Sequence, residues 1–309
     1  MSIILTIAKQ EIVKVFKNKK MLSSIFVLSL VVLAAMFAMT SLTVSKAQEQ
    51  EVSTVNGEIA EREAVRAELL EKEGLEQMHF TILAEDTSTE LERTNRTASF
   101  ILPYMMIIIL FMNLVNVVGD SIAGEKERGT LSKQLLSPID NSQMIFGKLL
   151  GTTVIGMISG AVFLGVLLGG SYVADRFWNM DILGIGNISL DAGQIAVMFG
   201  GFILIAMVFV AVIALLSSFA KTVKEATNFS LVIYYLVIVA ALATGFIVGE
   251  IPRTAYLIPI YNFSVFMQKF MVGSMDLVNG IIMVASLLVT FGILATVTIL
   301  NFRREKVIC

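Results

Sequence analysis

The residues best suited to chemistry lie in one short run, Gly124-Glu125-Lys126-Glu127-Arg128-Gly129-Thr130-Leu131, continuing to Leu135-Leu136-Ser137-Pro138. Four consecutive charges sit between two glycines, with long apolar stretches on either side. One charge at the centre of a membrane helix costs roughly 2.5–3.5 kcal/mol on insertion scales. The run is therefore expected in water at a membrane face, on a short tether to the apolar segments. Both signs of charge fall within one turn, which suits a polar protein surface. Thr130 is placed to cap a short helix whose Leu131, Leu135 and Leu136 form an apolar stripe. A stripe flanked by charge is what a helix needs to dock in a groove; a helix resting on lipid is the plainer alternative.

Other chemistry is scarce. Gly124 to Gly129 has the glycine spacing of a phosphate loop, but Thr130 stands where lysine is required. Gly147-Lys148 is followed by leucine and lacks the upstream glycine. ATP is not expected to bind this chain in that manner, so any drive must come from elsewhere. One cysteine, Cys309, and one histidine, His79, leave no intrachain disulfide and too few ligands for a zinc centre. The same scarcity argues against a Ser-His or Cys-His nucleophile. Met267, Met271 and Met275 recur every four residues, a pattern open to soft-metal handling or to ordinary apolar packing. Packing is the expectation, with no metal.

The elements that must position the charged run follow from composition. Of 309 residues, 56% are hydrophobic and 16% charged. Soluble domains are about 45–50% apolar and about 25% charged, so both values move toward a membrane protein. The mean hydropathy of +0.81 agrees. The net charge of −2 gives no reason to expect nucleic acid as a partner. Six apolar spans are expected, at 22–42, 100–119, 144–174, 195–220, 229–249 and 277–302. The first is longer than the core of a cleavable signal, so a retained helix with a leaderless start is expected. Before it, residues 1–20 alternate apolar and basic, as in an amphipathic helix on an anionic inner leaflet; a plain positive-inside flank is the alternative.

Residues 45–98 hold 13 acidic and 6 basic side chains, too charged for hydrocarbon. Val52, Val55, Ile59, Val65, Leu69 and Leu70 recur at helical spacing, so a helical insertion is expected there; a solvated loop is the alternative. The stretch 250–275 is too interrupted for a plain span and too apolar for a plain loop, which suits re-entrant or interfacial helices. In the third span, Gly147, Gly151, Gly165 and Gly169 share one helical face, while Gly156 and Gly160 lie opposite. Small residues four apart allow close helix approach, so this span is expected to be packed on two sides. With both termini inside, the inner segments take 14 of 23 basic residues and the outer ones 18 of 25 acidic residues. That bias supports the arrangement, with the insertion outside and the charged run, in a loop over 120–143, inside.

The run Gly124-Glu-Lys-Glu-Arg-Gly-Thr-Leu, with Leu135-Leu136-Ser137-Pro138 and Gly147-Lys148, resembles the loop between the second and third spans of ABC-2 type ABC transporter permeases. The start, Lys9-Gln10-Glu11-Ile12 with Lys17-Asn18-Lys19-Lys20, is similar to the helix before that family's first span. Leu257 to Phe263 resembles its outer segment before the last span, departing from it by Asn262-Phe263 where Asn-Pro-Phe is usual. The large loop after the first span is similar to those of the sodium- and drug-export branch. The resemblance implies an all-α, multi-pass protein of the cell membrane, a single permease domain over 1–309. It further implies a homodimer coupled through Gly124–Leu136 to separate ATPase subunits that bind the ATP and magnesium, and the branch implies export. A non-transporting membrane sensor and an ion-coupled carrier are the competing readings. The carrier is disfavoured because no expected span has a charge near its middle.

Overall fold

The computed structural model describes residues 3–31, 34, 90–130, 140–178, 192–244, 252–271 and 276–308. Among them there is no strand. Helix α1 covers Ile3–Lys17. Asn18 interrupts it, and its side-chain Oδ1 accepts from the Lys20 and Met21 amides at the start of α2, residues 19–31. Then come α3 (Glu90–Glu127), α4 (Asn141–Trp178), α5 (Ala192–Phe219) and α6 (Val223–Ala243). A 3₁₀ turn over Arg253–Leu257 leads to α7 (Tyr261–Met271) and finally α8 (Leu277–Ile308).

Five of these helices contain stretches long and apolar enough to cross a membrane: Pro103–Glu127, Ser142–Val166, Ala196–Phe219, Val223–Ala243 and Leu277–Phe302. The sixth expected span, 22–42, is helical as far as residue 31 and otherwise lies largely outside the described residues. So do most of the expected insertion at 45–98, Leu131, Leu135, Leu136, Met275, His79 and Cys309. Residues 90–98 form the opening turns of α3, which runs past both ends of the expected span 100–119. Pro103, the fourth residue of the expected span, sits well inside this helix because the polar residues before it are helical too.

The core is built around α3 and α5. Phe111, Leu114, Phe202, Ile205, Phe209 and Ile213 are almost wholly buried. Phe111 meets Phe209 edge-on at 5.1 Å and stacks on Tyr234 of α6 at 5.8 Å. Helices α6 and α8 are peripheral, with only 22% of each span window buried. Their exposed apolar residues, such as Leu236, Val239, Ile281 and Val289, suit a hydrocarbon environment. The stretch expected to be re-entrant or interfacial folds as the 3₁₀ turn and α7, joined by Ile258-Pro259-Ile260. Ile260 takes a left-handed φ of 74°, and Asn262 Nδ2 donates to the Tyr256 carbonyl at 3.0 Å across that turn. Met267 is fully buried there, its methyl group close to Gly201.

The glycines of α4 face different neighbours. A Cβ at Gly147 would lie 2.8 Å from the Ile7 Cβ, and one at Gly151 would lie 2.8 Å from the Ala8 carbonyl oxygen. Both therefore admit α1. On the other side, a Cβ at Gly156 would approach Leu114 of α3 at 3.1 Å, and one at Gly160 would collide with the Phe202 ring of α5. Gly165 and Gly169 meet nothing within 4 Å. Ile7 opposite Gly147, Ala8 opposite Gly151, and Val15 in one cluster with Ile155 show that α1 runs alongside α4 in the same direction. One face of α1 thus lies on protein, a contact that the amphipathic pattern expected on the inner leaflet did not reveal. The reason is the polar seam described next.

Candidate functional site

The charged run is not a separate loop. Helix α3 continues through Glu127, and the chain leaves it at Gly129, whose φ of 66° is the left-handed conformation that closes a helix and that glycine adopts most easily. The Gly129 amide donates to the Lys126 carbonyl at 3.0 Å. Thr130 Oγ1 donates back to the Glu125 carbonyl at 3.2 Å, so its hydroxyl serves the end of α3; the helix it is expected to cap, with Leu131, Leu135 and Leu136, lies outside the described residues. Gly124 has a steric reason as well. A Cβ there would come within 2.7 Å of Asp120 Oδ1 and 3.0 Å of the Arg128 guanidinium. Its absence lets Arg128 reach back over two turns to Asp120 at 2.8 Å. Hydrogen bonding to that carboxylate is the main cause raising the Arg128 pKa above its ordinary value.

Glu125 turns inward and is buried. Its Oε2 accepts from the Lys148 ammonium at 2.7 Å, and its Oε1 from Lys14 at 3.2 Å. Lys148, near the start of α4, also donates to Glu11 Oε1 at 3.0 Å and to the Ser121 carbonyl at 3.1 Å. Three acceptors thus satisfy the three N–H bonds of one ammonium. Lys14 lies 3.6 Å from Asp120 and 3.8 Å from Glu11. Three carboxylates (Glu11, Asp120, Glu125) and three cations (Lys14, Arg128, Lys148) therefore form one neutral cluster joining α1, α3 and α4. Neutrality and complete pairing are the conditions under which charges tolerate burial.

The next two residues turn elsewhere. Lys126 donates to the Ser218 carbonyl in the last turn of α5, and its ammonium lies 5.4 Å from the centre of the Phe302 ring on α8. Glu127 Oε2 accepts from the Val223 amide, the first of α6, at 2.9 Å. Thr222 caps the same helix, accepting from the Glu225 amide. Successive residues of the run thus bind different helices, and its exposed part is Glu127, Arg128, Gly129 and Thr130.

Sequence reasoning singled out Glu125 to Arg128 but assigned no role to Glu11, Lys14, Asp120 or Lys148. One signal was present. Lys148 falls inside the expected third span, and a charge there demands a partner. The partner's identity depends on how α1 packs, which periodicity does not reveal.

Long apolar helices, secured at one end by buried ion pairs, make this a multi-pass membrane protein. The family model described as ABC-2 family transporter protein matches residues 64–300, and the chain belongs to that family. A relative, the ABC transporter permease protein NatB of Bacillus subtilis (strain 168), is 23% identical over 212 residues, covering 64% of this chain and 50% of that protein. The chain thus spans about half the length of this relative. Family membership makes it an ABC-2 family transporter protein, with its helices in the cell membrane.

Proposed function

We propose that this chain is the membrane half of an ATP-driven exporter, working as a homodimer with two separate ATPase subunits that hold ATP and magnesium. The ATPase docks from the cytoplasm at Arg128, Gly129, Thr130, Leu131, Leu135 and Leu136. Gly124 to Glu127 couple that contact to the helices behind it. The observation that carries this reading is the division of labour within the charged run: Glu125 and Lys126 bond inward while Arg128 to Thr130 stay exposed. A push on the exposed part is delivered to helices already bonded to its neighbours. Export is proposed from the resemblance of the sequence to the export branch. The outward side of α1, with Leu5 and Phe16 about half exposed beside Lys9 and Lys17, rests on anionic lipid.

The test uses the chain co-expressed with the candidate ATPase. Arg128→Glu combined with Leu135→Asp and Leu136→Asp abolishes co-purification of the ATPase and leaves the permease folded by gel filtration. Wild-type recovery of ATPase with this triple variant would remove the docking assignment. Failure of the unaltered chain to bind any ATPase would remove the pump reading itself and favour a membrane sensor.

A further inference from the structure

Lys126 and Glu127 make a pair of contacts with a distinct logic. The last carbonyls of a helix and its first amides have no partners within the helix, and they carry partial negative and positive charge respectively. Helices α5 and α6 meet end to start across the short turn 220–222. Lys126 places its ammonium on a last-turn carbonyl of α5, and Glu127 its carboxylate on the first amide of α6. Each charge sits on the helix end of opposite polarity. Ala123, Ala220 and Ala226 form a small-residue cluster at this junction, consistent with close approach of α3 to the turn. Helix α8 is held here as well: Phe302 lies beneath the Lys126 ammonium, and Asn301 Nδ2 donates to Ser218 Oγ at 2.7 Å.

These contacts matter because α6 and α8 are the spans with the least burial against the rest of the chain. Helix α6 packs along α3, with Phe111 on Tyr234, whereas α8 packs mainly on α5 and is tied to α3 at this end through Lys126. At their far ends they lead into the 3₁₀ turn and α7: α6 precedes them and α8 follows. We propose that Lys126 and Glu127 are positioning residues, a two-charge clamp that makes the α5–α6 turn and the end of α8 move with α3. Through this clamp the stroke received at Arg128–Leu136 reaches the 3₁₀ turn and α7. The inference rests on the pump reading above and names the residues that transmit its stroke.

The experiment uses the full chain assembled with its ATPase in lipid nanodiscs, with Cys309→Ser and a reporter cysteine at Leu257, which is 61% exposed on the 3₁₀ turn. The rate of labelling by a membrane-impermeant maleimide is compared between nucleotide-free complex and complex trapped with ATP and vanadate. Wild type shows a nucleotide-dependent change in rate. Lys126→Met and Glu127→Ala each reduce that change by about fivefold, within the range expected for residues along a coupling route, while ATPase still co-purifies. Lys126→Arg restores the response because it keeps the cation. An undiminished response in both variants overturns the clamp and leaves the pump reading intact. Loss of ATPase assembly in Lys126→Met also overturns it, since the side chain would then serve docking or folding. An assembled wild-type complex that gives no response refutes the pump reading, and the clamp with it.

Discussion

Lys148 donates to Glu125, Glu11 and a backbone carbonyl, and its side chain is 3% exposed. Replacing it with methionine leaves two buried carboxylates sharing Lys14, which lies 3.8 Å from Glu11 and is itself a third exposed. Breaking a buried ion pair by removing one partner costs about 3–5 kcal/mol, mostly because the remaining charge has no compensation. Lys148→Met is therefore expected to lower the thermal midpoint of the detergent-purified chain sharply. Adding Glu11→Gln to it should recover part of the loss. An unchanged midpoint would mean that water reaches the cluster and screens it. A milder effect is expected at Gly129, where alanine must take the left-handed conformation at a cost of about 1 kcal/mol. Gly129→Ala with a full wild-type midpoint would argue that the end of α3 relaxes freely. Sequence reading recognised that these charges could not lie in hydrocarbon and sent them all to water. Charges can also leave water by pairing with one another, and Glu125 does so. That solution was hidden because its partners lie 111 and 23 residues away.

Helices were more legible than side-chain partners. Apolar length located the spans, since a backbone in hydrocarbon must satisfy its own hydrogen bonds and a helix does so alone. Glycine spacing identified the faces of α4 but not what covers them. Gly147 and Gly151 receive α1, a helix whose basic residues had suggested lipid. Its inward face carries Glu11 and Lys14, which are drawn to Lys148, Glu125 and Asp120, and the glycines supply the room. Gly165 and Gly169 continue the same spacing with nothing nearby, because among the described residues α1 meets only the early turns of α4. This difference is testable. Gly151→Leu should displace α1 and expose the chain near Lys9 and Lys14 to trypsin, whereas Gly169→Leu, with open space around it, should leave the digestion pattern of the wild type. Equal cleavage in the two variants would contradict the seating of α1 on Gly151.

At the scale of the whole molecule, the bonded charges gather at one end of the bundle, where α1, α3, α4, α5, α6 and α8 are joined through Glu125, Lys126 and Glu127. The opposite end holds the 3₁₀ turn and α7, whose contacts are largely apolar. Among the described residues, its ion pair Arg253–Asp276 is exposed and long, at 3.9 Å, and such a pair contributes little. The two ends are thus built differently: one rigidly cross-linked by buried charge, the other held by packing that can rearrange without stranding a charge. A lever needs a stiff end where force enters and a compliant end where access changes. In the proposed topology the stiff end faces the ATPase, and the insertion at 45–98 enters the bundle from the compliant side, through the start of α3 at Glu90. Replacing residues 53–88 by a short glycine-serine linker should therefore leave α3 and the ion cluster intact. The shortened chain should still co-purify with the ATPase and keep the thermal midpoint expected of an intact Lys148 cluster. Loss of ATPase from an otherwise well-folded shortened chain would place the insertion on the ATPase side and reverse the proposed sidedness of the whole bundle.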